Sequence, residues 1–339
     1  YFPIGVVAGI SPFNFPLNLA VHKIAPAIAS GCPIVLKPSS LTPLSVLALA
    51  RIIHETRLPS GMVSVVPSDR MTGNLLVSDS RIALLSFTGS PSGGWNMKSN
   101  AGRKRVVLEL GGNAGMVVTP TADILMAVKK AVAGAFSYAG QVCIHTQRIY
   151  VHESVMGAFR TAFLEGVLNL RSGDPMDPKT DISVMIDEDN ALRVESWVNE
   201  ALEAGAVLLA GGKRNGRFFS PTVLSSTQPG MKVCSEEIFG PVVTLETYYT
   251  FEEVVNEINN TKYGLQAGVF THDLREMDYA FRCLKVGGVI LNDTPTFRVD
   301  HMPYGGVKDS GFGREGVRYA MMDMLDSRIL VKDKCSSCI

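Results

Sequence analysis

A thiol, a carboxylate and an amide in this 339-residue chain each stand where acyl chemistry could use them. Cys143 lies in Gly140-Gln141-Val142-Cys143, between a helix-like run rich in small residues and a strand-like run, so it falls in a loop where a thiol can face a cleft. An unperturbed thiol, with a pKa of about 8.5, is a few per cent thiolate at neutral pH, and nearby dipoles or cations raise that share. Glu109 sits inside the apolar run that ends at Leu110-Gly111-Gly112-Asn113. Burying a carboxylate there is costly unless it is paired, wetted or protonated, which makes Glu109 a candidate general base with a raised pKa. Asn14, in Ser11-Pro12-Phe13-Asn14-Phe15-Pro16, is a neutral amide donor on a backbone stiffened by two prolines. One such donor at an oxyanion is worth about 3 kcal/mol of transition-state energy. Each has a plainer reading: Cys143 as one of six mostly inert cysteines, Glu109 as a strand-end glutamate in water, Asn14 as a turn former.

Phosphate handling has two candidates. Phe87-Thr88-Gly89-Ser90-Pro91-Ser92-Gly93-Gly94 follows a strand and opens a helix, where backbone N–H groups and the helix dipole favour a pyrophosphate. The spacing is not G-x-G-x-x-G, and a plain turn explains it as well. Lys37 ends the run Pro33 to Leu36, at the strand end where open parallel sheets meet ligands. The six histidines are dispersed, and no His, Cys, Asp and Glu cluster has metal-ligand spacing, so no metal is expected.

The elements that must position these groups alternate between strand and helix. Gly5 to Ile10, Pro33 to Lys37, Val63 to Val66, Ile82 to Phe87 and Val106 to Leu110 read as strands, with helices over Leu17 to Ala29 and Leu44 to Glu55, the latter started by Thr42 as N-cap and Pro43 at the first turn. The pattern restarts at Gly115 to Val118, with a helix from Ala122 to Tyr138, a strand at Arg148 to Val151, and further units through a strand at Val289 to Asn292. Lys plus Arg (32) equals Asp plus Glu (32), so a small molecule is a better partner than nucleic acid. No apolar run is long enough to span a bilayer and the scattered cysteines fit a reducing compartment, so a cytoplasmic location is expected. Cys335-Ser-Ser-Cys338 has redox-pair spacing but reads as a polar tail.

Taken in order, the segments Ser11 to Pro16, Lys37 to Ser40, Phe87 to Ser90, Glu109 to Asn113, Gly140 to Cys143, Glu236 to Pro241, Tyr263 to Leu265 and Pro303 to Gly313 resemble the aldehyde dehydrogenase superfamily. The resemblance implies two open α/β domains: a Rossmann-like cofactor domain over 1–113, a catalytic domain over 114–308, and a return through 309–339 to the cofactor domain and oligomer contacts. It implies Cys143 as nucleophile, Glu109 as the base for water, Asn14 with the Cys143 N–H as oxyanion hole, and Lys23 with Glu315 as a proton relay. For the cofactor, NAD or NADP, it implies Lys37 at the adenine ribose, Gly89, Ser90 and Gly94 along the pyrophosphate, Glu237 and Phe239 at the nicotinamide ribose and ring, and Leu110 nearby, with Ser11, Phe13, Ser40 and Gly73 also in the site. Relatives that prefer NAD often have an acidic residue at the place of Ser40, so NADP stays open.

The reaction implied is oxidation of a small aldehyde to its acid, through a thiohemiacetal that expels hydride and a thioester hydrolysed by water. The stretches 141–148 and 299–303 look like groups that act on lactaldehyde, glyceraldehyde 3-phosphate or phosphonoacetaldehyde, with His145 or Arg298 meeting an anionic end; a neutral aldehyde is the competing expectation. A homodimer or homotetramer is implied. Residue 1 is not Met and the match starts just before the Asn14 segment, so an N-terminal portion is expected to be missing. Two further readings compete: a cofactor-independent thiol esterase using the same residues, and a truncated, non-catalytic scaffold.

Overall fold

The structure, a computed structural model, describes residues 1–333; Cys335 and Cys338 lie outside the described residues. The chain forms two compact units. The first gathers Tyr1–Phe87, Asn96–Val107 and the stretch from Glu315, and the second gathers Thr88–Trp95 and Leu108–Arg314.

In the first unit the strands are β1 (Phe2–Pro3), β2 (Val6–Ile10), β3 (Ile34–Lys37), β4 (Val63–Val65), β5 (Ile82–Thr88) and β6 (Arg105–Glu109), and all but β1 lie in one sheet in the order β6-β5-β2-β3-β4. β2 pairs in parallel with both β3 and β5, and β3 with β4. Helix α1 (Pro16–Ala29) starts at a proline, whose missing N–H has no intrahelical partner to lose. Its residues Ala20, Ile24 and Ala27 recur at helical spacing and pack on Val7, Ile34 and Leu36 of the sheet. Helix α2 (Leu44–His54) begins one residue after Pro43, which itself holds the cap position in a helical conformation. Thr42 is not the capping side chain, contrary to the sequence reading, because its hydroxyl donates to the Phe13 carbonyl at 3.3 Å and ties down the Asn14 loop instead. Helix α3 (Arg70–Ser78) escapes periodicity because only Gly73 and Val77 are buried; Asp69 caps it by accepting from the Thr72 N–H at 2.7 Å. The later chain returns to this unit: Leu325–Asp326 pairs antiparallel with β1, and Cys32 Sγ donates to the Met324 carbonyl.

The second unit holds a seven-stranded sheet. Its strands are β7 (Ala114–Val118), β8 (Thr146–His152), β9 (Val207–Ala210), β12 (Thr222–Ser225), β13 (Val242–Tyr248), β14 (Gln266–Phe270) and β15 (Gly288–Leu291), with a small hairpin of β10 (Arg214–Asn215) and β11 (Phe218–Phe219) between β9 and β12. The order is β15-β14-β7-β8-β13-β12-β9, parallel throughout except for the edge strand β9. Helices α5 (Ile124–Phe136) and α6 (Glu153–Leu168) pack together on this sheet, following α4 (Pro91–Asn100) in the chain. Asp123 caps α5 by accepting from the Met126 N–H. The small side chains Ala127, Ala131 and Ala135 let α5 approach the buried Phe159 and Phe163, each worth about 2–3 kcal/mol of burial. No helix among the described residues is long and apolar enough to cross a membrane.

Candidate active site

Cys143 is brought to its place by an unusual turn. After α5 ends, Tyr138 (φ 57°), Ala139 (φ 53°) and Gly140 (φ 66°) all take the left-handed conformation, which costs a non-glycine residue about 1–2 kcal/mol. Gly140 is required there: a Cβ would stand 2.1 Å from the Gly240 carbonyl oxygen. Backbone strain of this kind persists where surrounding contacts over-determine it, and here it falls on Tyr138 and Ala139, just ahead of the thiol loop.

The half-buried Cys143 packs with Ile144, Leu265 and Tyr304. Its sulfur lies 3.1 Å from the Tyr304 hydroxyl, and the Arg298 guanidinium sits 3.7 Å from the centre of the Tyr304 ring. Burial pushes the thiol up to about 11; the Tyr304 hydrogen bond and the Arg298 charge oppose that, while Glu237 and Glu109 add to it. Tyr304 and Arg298 thus favour the thiolate, and desolvation outweighs them. Tyr304 is fully buried and its hydroxyl is held well above its usual range, first by burial.

Glu109 ends β6, is buried, and has its carboxylate against Gly305, where a Cβ would come within 2.9 Å of Oε1. The strand is fixed by the Gly89 N–H donating to the Glu109 carbonyl and by β16 (Gly311–Phe312), which pairs antiparallel with it. The next residues are glycines because the backbone runs against two site residues. A Cβ on Gly111 would fall 2.1 Å from Glu237 Oε2, and one on Gly112 would fall 2.2 Å from the Cys143 carbonyl oxygen. The Gly112 N–H donates to Glu237 Oε1 at 3.0 Å, yet burial raises that carboxyl to about 7. Two amides hold the Glu237 turn: Asn113 donates to the Cys234 and Glu236 carbonyls, and Gln147 donates to those of Val233 and Glu236 while accepting from Ile238 N–H. Phe239 then takes a left-handed φ of 44°.

His145 does not meet an anionic substrate. It is buried, burial lowers its pKa to about 4, and Nε2 is 2.8 Å from the Ala135 carbonyl, which assigns the neutral Nε2–H form.

The first unit holds a second set of site candidates. Lys37 closes β3 with its stem against Gly73, where a Cβ would lie 2.7 Å from Lys37 Cδ; burial lowers its pKa, opposed by Asp69. Ser11 follows β2, and its buried hydroxyl has no hydrogen-bond partner among the described residues. A bare glycine beside a lysine and an orphaned hydroxyl fit a polar ligand such as a nucleotide. Phe13 and Asn14 are half-buried in the loop before α1, and Ser40 is exposed. Lys23, in α1, is fully buried and donates to Ser86 Oγ at 3.0 Å and Glu315 Oε1 at 3.1 Å, with His22 Nδ1 at 3.5 Å from Glu315 Oε2. In the glycine-rich turn, the Gly89 N–H is engaged by Glu109 and the Gly93 N–H by Ser90 Oγ, so the glycines there offer space more than donors. Leu110 and Gly94 are buried.

The structure thus gathers Cys143, Glu109 and Glu237 in the second unit, and Ser11, Lys37, Gly73, Asn14 and the Lys23–Glu315 pair in the first. Tyr304, Asn113 and Gln147 were assigned no role from the sequence. The two amides carried a usable signal, each being a polar side chain next to or inside an apolar strand run; Tyr304 carried none, being 161 positions from its partner. Among the described residues no group of His, Cys, Asp and Glu could hold a metal ion.

A half-buried thiol and a buried carboxylate thus lie together on an open α/β unit. The family follows from the whole chain: the model of the aldehyde dehydrogenase family matches residues 1–330, so the chain belongs to that family, whose members oxidise aldehydes to acids with NAD(P). It is 46% identical over 330 residues to a 3-sulfolactaldehyde dehydrogenase of Priestia aryabhattai, covering 97% of this chain and 69% of that one. Aldehyde dehydrogenase 21 from Physcomitrella patens, solved with the reaction product succinate, superposes with a TM-score of 0.97 at 49% identity, over 99% of this chain and 70% of that one. A glyceraldehyde-3-phosphate dehydrogenase from Methanocaldococcus jannaschii, complexed with NADP, gives 0.93 at 41% identity, over 95% and 72%.

Proposed function

We propose that this chain oxidises a small aldehyde bearing an anionic group, with Cys143 as nucleophile and Arg298 receiving the anionic end. The observation that carries this reading is the Arg298 guanidinium stacked on the ring whose hydroxyl touches the Cys143 sulfur. It is supported by the three relatives, whose names carry a sulfonate, a dicarboxylate product and a phosphate.

With its thiol held near 11, Cys143 is protonated at neutral pH and needs a base during attack. Glu109 takes that proton as the carbon–sulfur bond forms and the carbonyl pair moves to oxygen, where the Asn14 amide and the Cys143 N–H would receive it. NAD(P)+ would supply the hydride acceptor when bound, with Ser11, Lys37 and Gly73 of the first unit as its proposed ligands. Once that proton has been passed on, Glu109 deprotonates the water that attacks the thioester; the carbon–sulfur bond breaks and the Cys143 sulfur regains a proton. One aldehyde, one water and one NAD(P)+ give a carboxylate, NAD(P)H and two protons. Lys23 and Glu315 hand on the proton from the base. Ser40 brings no negative charge against a 2′-phosphate, so NADP is accepted. The unit containing Lys37 serves the cofactor, and the enzyme works in the cytoplasm as a homodimer or homotetramer.

The test is NAD(P)H formation with 3-sulfolactaldehyde, succinic semialdehyde, glyceraldehyde 3-phosphate and propanal. An anionic aldehyde is expected to lead propanal at least tenfold in kcat/KM, roughly the value of one charge-assisted contact. Arg298→Gln should erase that lead through KM, and Cys143→Ala should abolish turnover. Preference for propanal would end the anionic reading, and turnover surviving in Cys143→Ala would end the nucleophile assignment.

A further inference from the structure

We propose that Tyr304 is a catalytic residue: its hydroxyl donates a hydrogen bond to the Cys143 sulfur, fixes the direction of the nucleophile and stabilises its thiolate. The proposal rests on the reading of Cys143 as nucleophile.

The contact is short and enclosed. Sγ and the phenol oxygen are 3.1 Å apart, and Tyr304 is 2% exposed, so water does not compete for either group from the tyrosine side. The sulfur's neighbours Ile144, Leu265 and Val142 are apolar and offer it no side-chain donor. The direction of donation follows from chemistry. Burial and the nearby negative charges keep the phenol protonated, so against a thiolate it acts as the donor throughout the working pH range. Arg298 over the ring face holds the phenol in place and, by drawing electron density from the ring, strengthens its O–H as a donor. Around the sulfur, Tyr304 and Arg298 favour the thiolate, and Glu237 and Glu109 disfavour it. Only a hydroxyl can supply the first of these. A phenylalanine would fill the same space and keep the cation–ring contact.

Tyr304→Phe is therefore the discriminating variant. The readout is the second-order rate of Cys143 alkylation by iodoacetamide from pH 7 to 10.5, followed on the Cys143 peptide by mass spectrometry in the full chain, so it does not depend on turnover. Losing one hydrogen bond to a charged sulfur should slow alkylation about tenfold at every pH in that range, all of which lies below the midpoint. kcat/KM for the aldehyde should fall by a similar factor with kcat carrying most of the loss. Should Tyr304→Phe fold poorly, 3-fluorotyrosine at 304 keeps the shape and makes a stronger donor, and the midpoint should move down. Superimposable alkylation profiles for wild type and either variant would overturn the proposal. Failure of the nucleophile assignment shows separately, as turnover retained in Cys143→Ala.

Discussion

In the first unit the candidate ligand-binding side chains follow their strands, Ser11 after β2 and Lys37 at the end of β3, whereas in the second Cys143 precedes β8 and Glu237 precedes β13. Open parallel sheets normally present ligands at the carboxyl ends of their strands, because that is where loops and helix N-termini converge. The first unit obeys this with ordinary backbone. The second places Cys143 and Glu237 at the opposite ends and uses special devices to do so: three left-handed residues ahead of Cys143, a Gly111-Gly112 pair against Glu237 and Cys143, and two amides that hold the Glu237 turn. A regular topology can position a binding residue. The proposed nucleophile is set by local construction instead.

The two units also treat buried charge differently, and that difference can be broken. Lys23 and Glu315 are both buried and are satisfied as a hydrogen-bonded pair. Lys23→Met leaves Glu315 without that partner, and thermal or urea unfolding should show a loss of about 3–5 kcal/mol. Lost turnover with unchanged stability would instead make the pair a proton relay with no structural part.

In the second unit Glu237 is held by neutralisation. Its native carboxyl titrates near 7, above the ordinary 4.5, so the proton it binds contributes stability that is complete below about 4.5 and is lost as pH rises through 7. Melting temperatures between pH 4.5 and 8 should fall less steeply in Glu237→Gln than in the wild type. Parallel curves would mean that the carboxyl is already ionised.

The smallest effect belongs to the regular site. Gly73→Ala pushes a methyl toward the flexible Lys37 stem, which can yield, so KM for the cofactor should rise only a few-fold, about 1 kcal/mol, with kcat unchanged. A null result would remove Lys37 from the cofactor site.

What could be read from the sequence follows the same division. Strands β2, β3, β5 and β7 and helices α1 and α6 announce themselves by apolar runs and periodicity, and Cys143 and Glu109 by ordered motifs. Strand β14, Gln266–Phe270, was passed over because two of its five residues are small and one is polar, although all five are buried. His145 looked like a rim residue because it follows a loop cysteine; entry into β8 buries it. The Tyr304–Cys143 contact depends on how the chain closes around β14 and has no local mark.

The first unit is also interrupted along the chain. Residues Leu108–Arg314 are built before Glu315 is reached, and the core around Val7, Ile34 and Leu36 includes Met324. At ordinary synthesis rates that interval lasts roughly 10–40 s. During it the β2–β5 layer stays partly unsealed on the ribosome while the inserted unit is completed. A chaperone that recognises exposed apolar strands would find its target in β2, β3 and β5 during that interval.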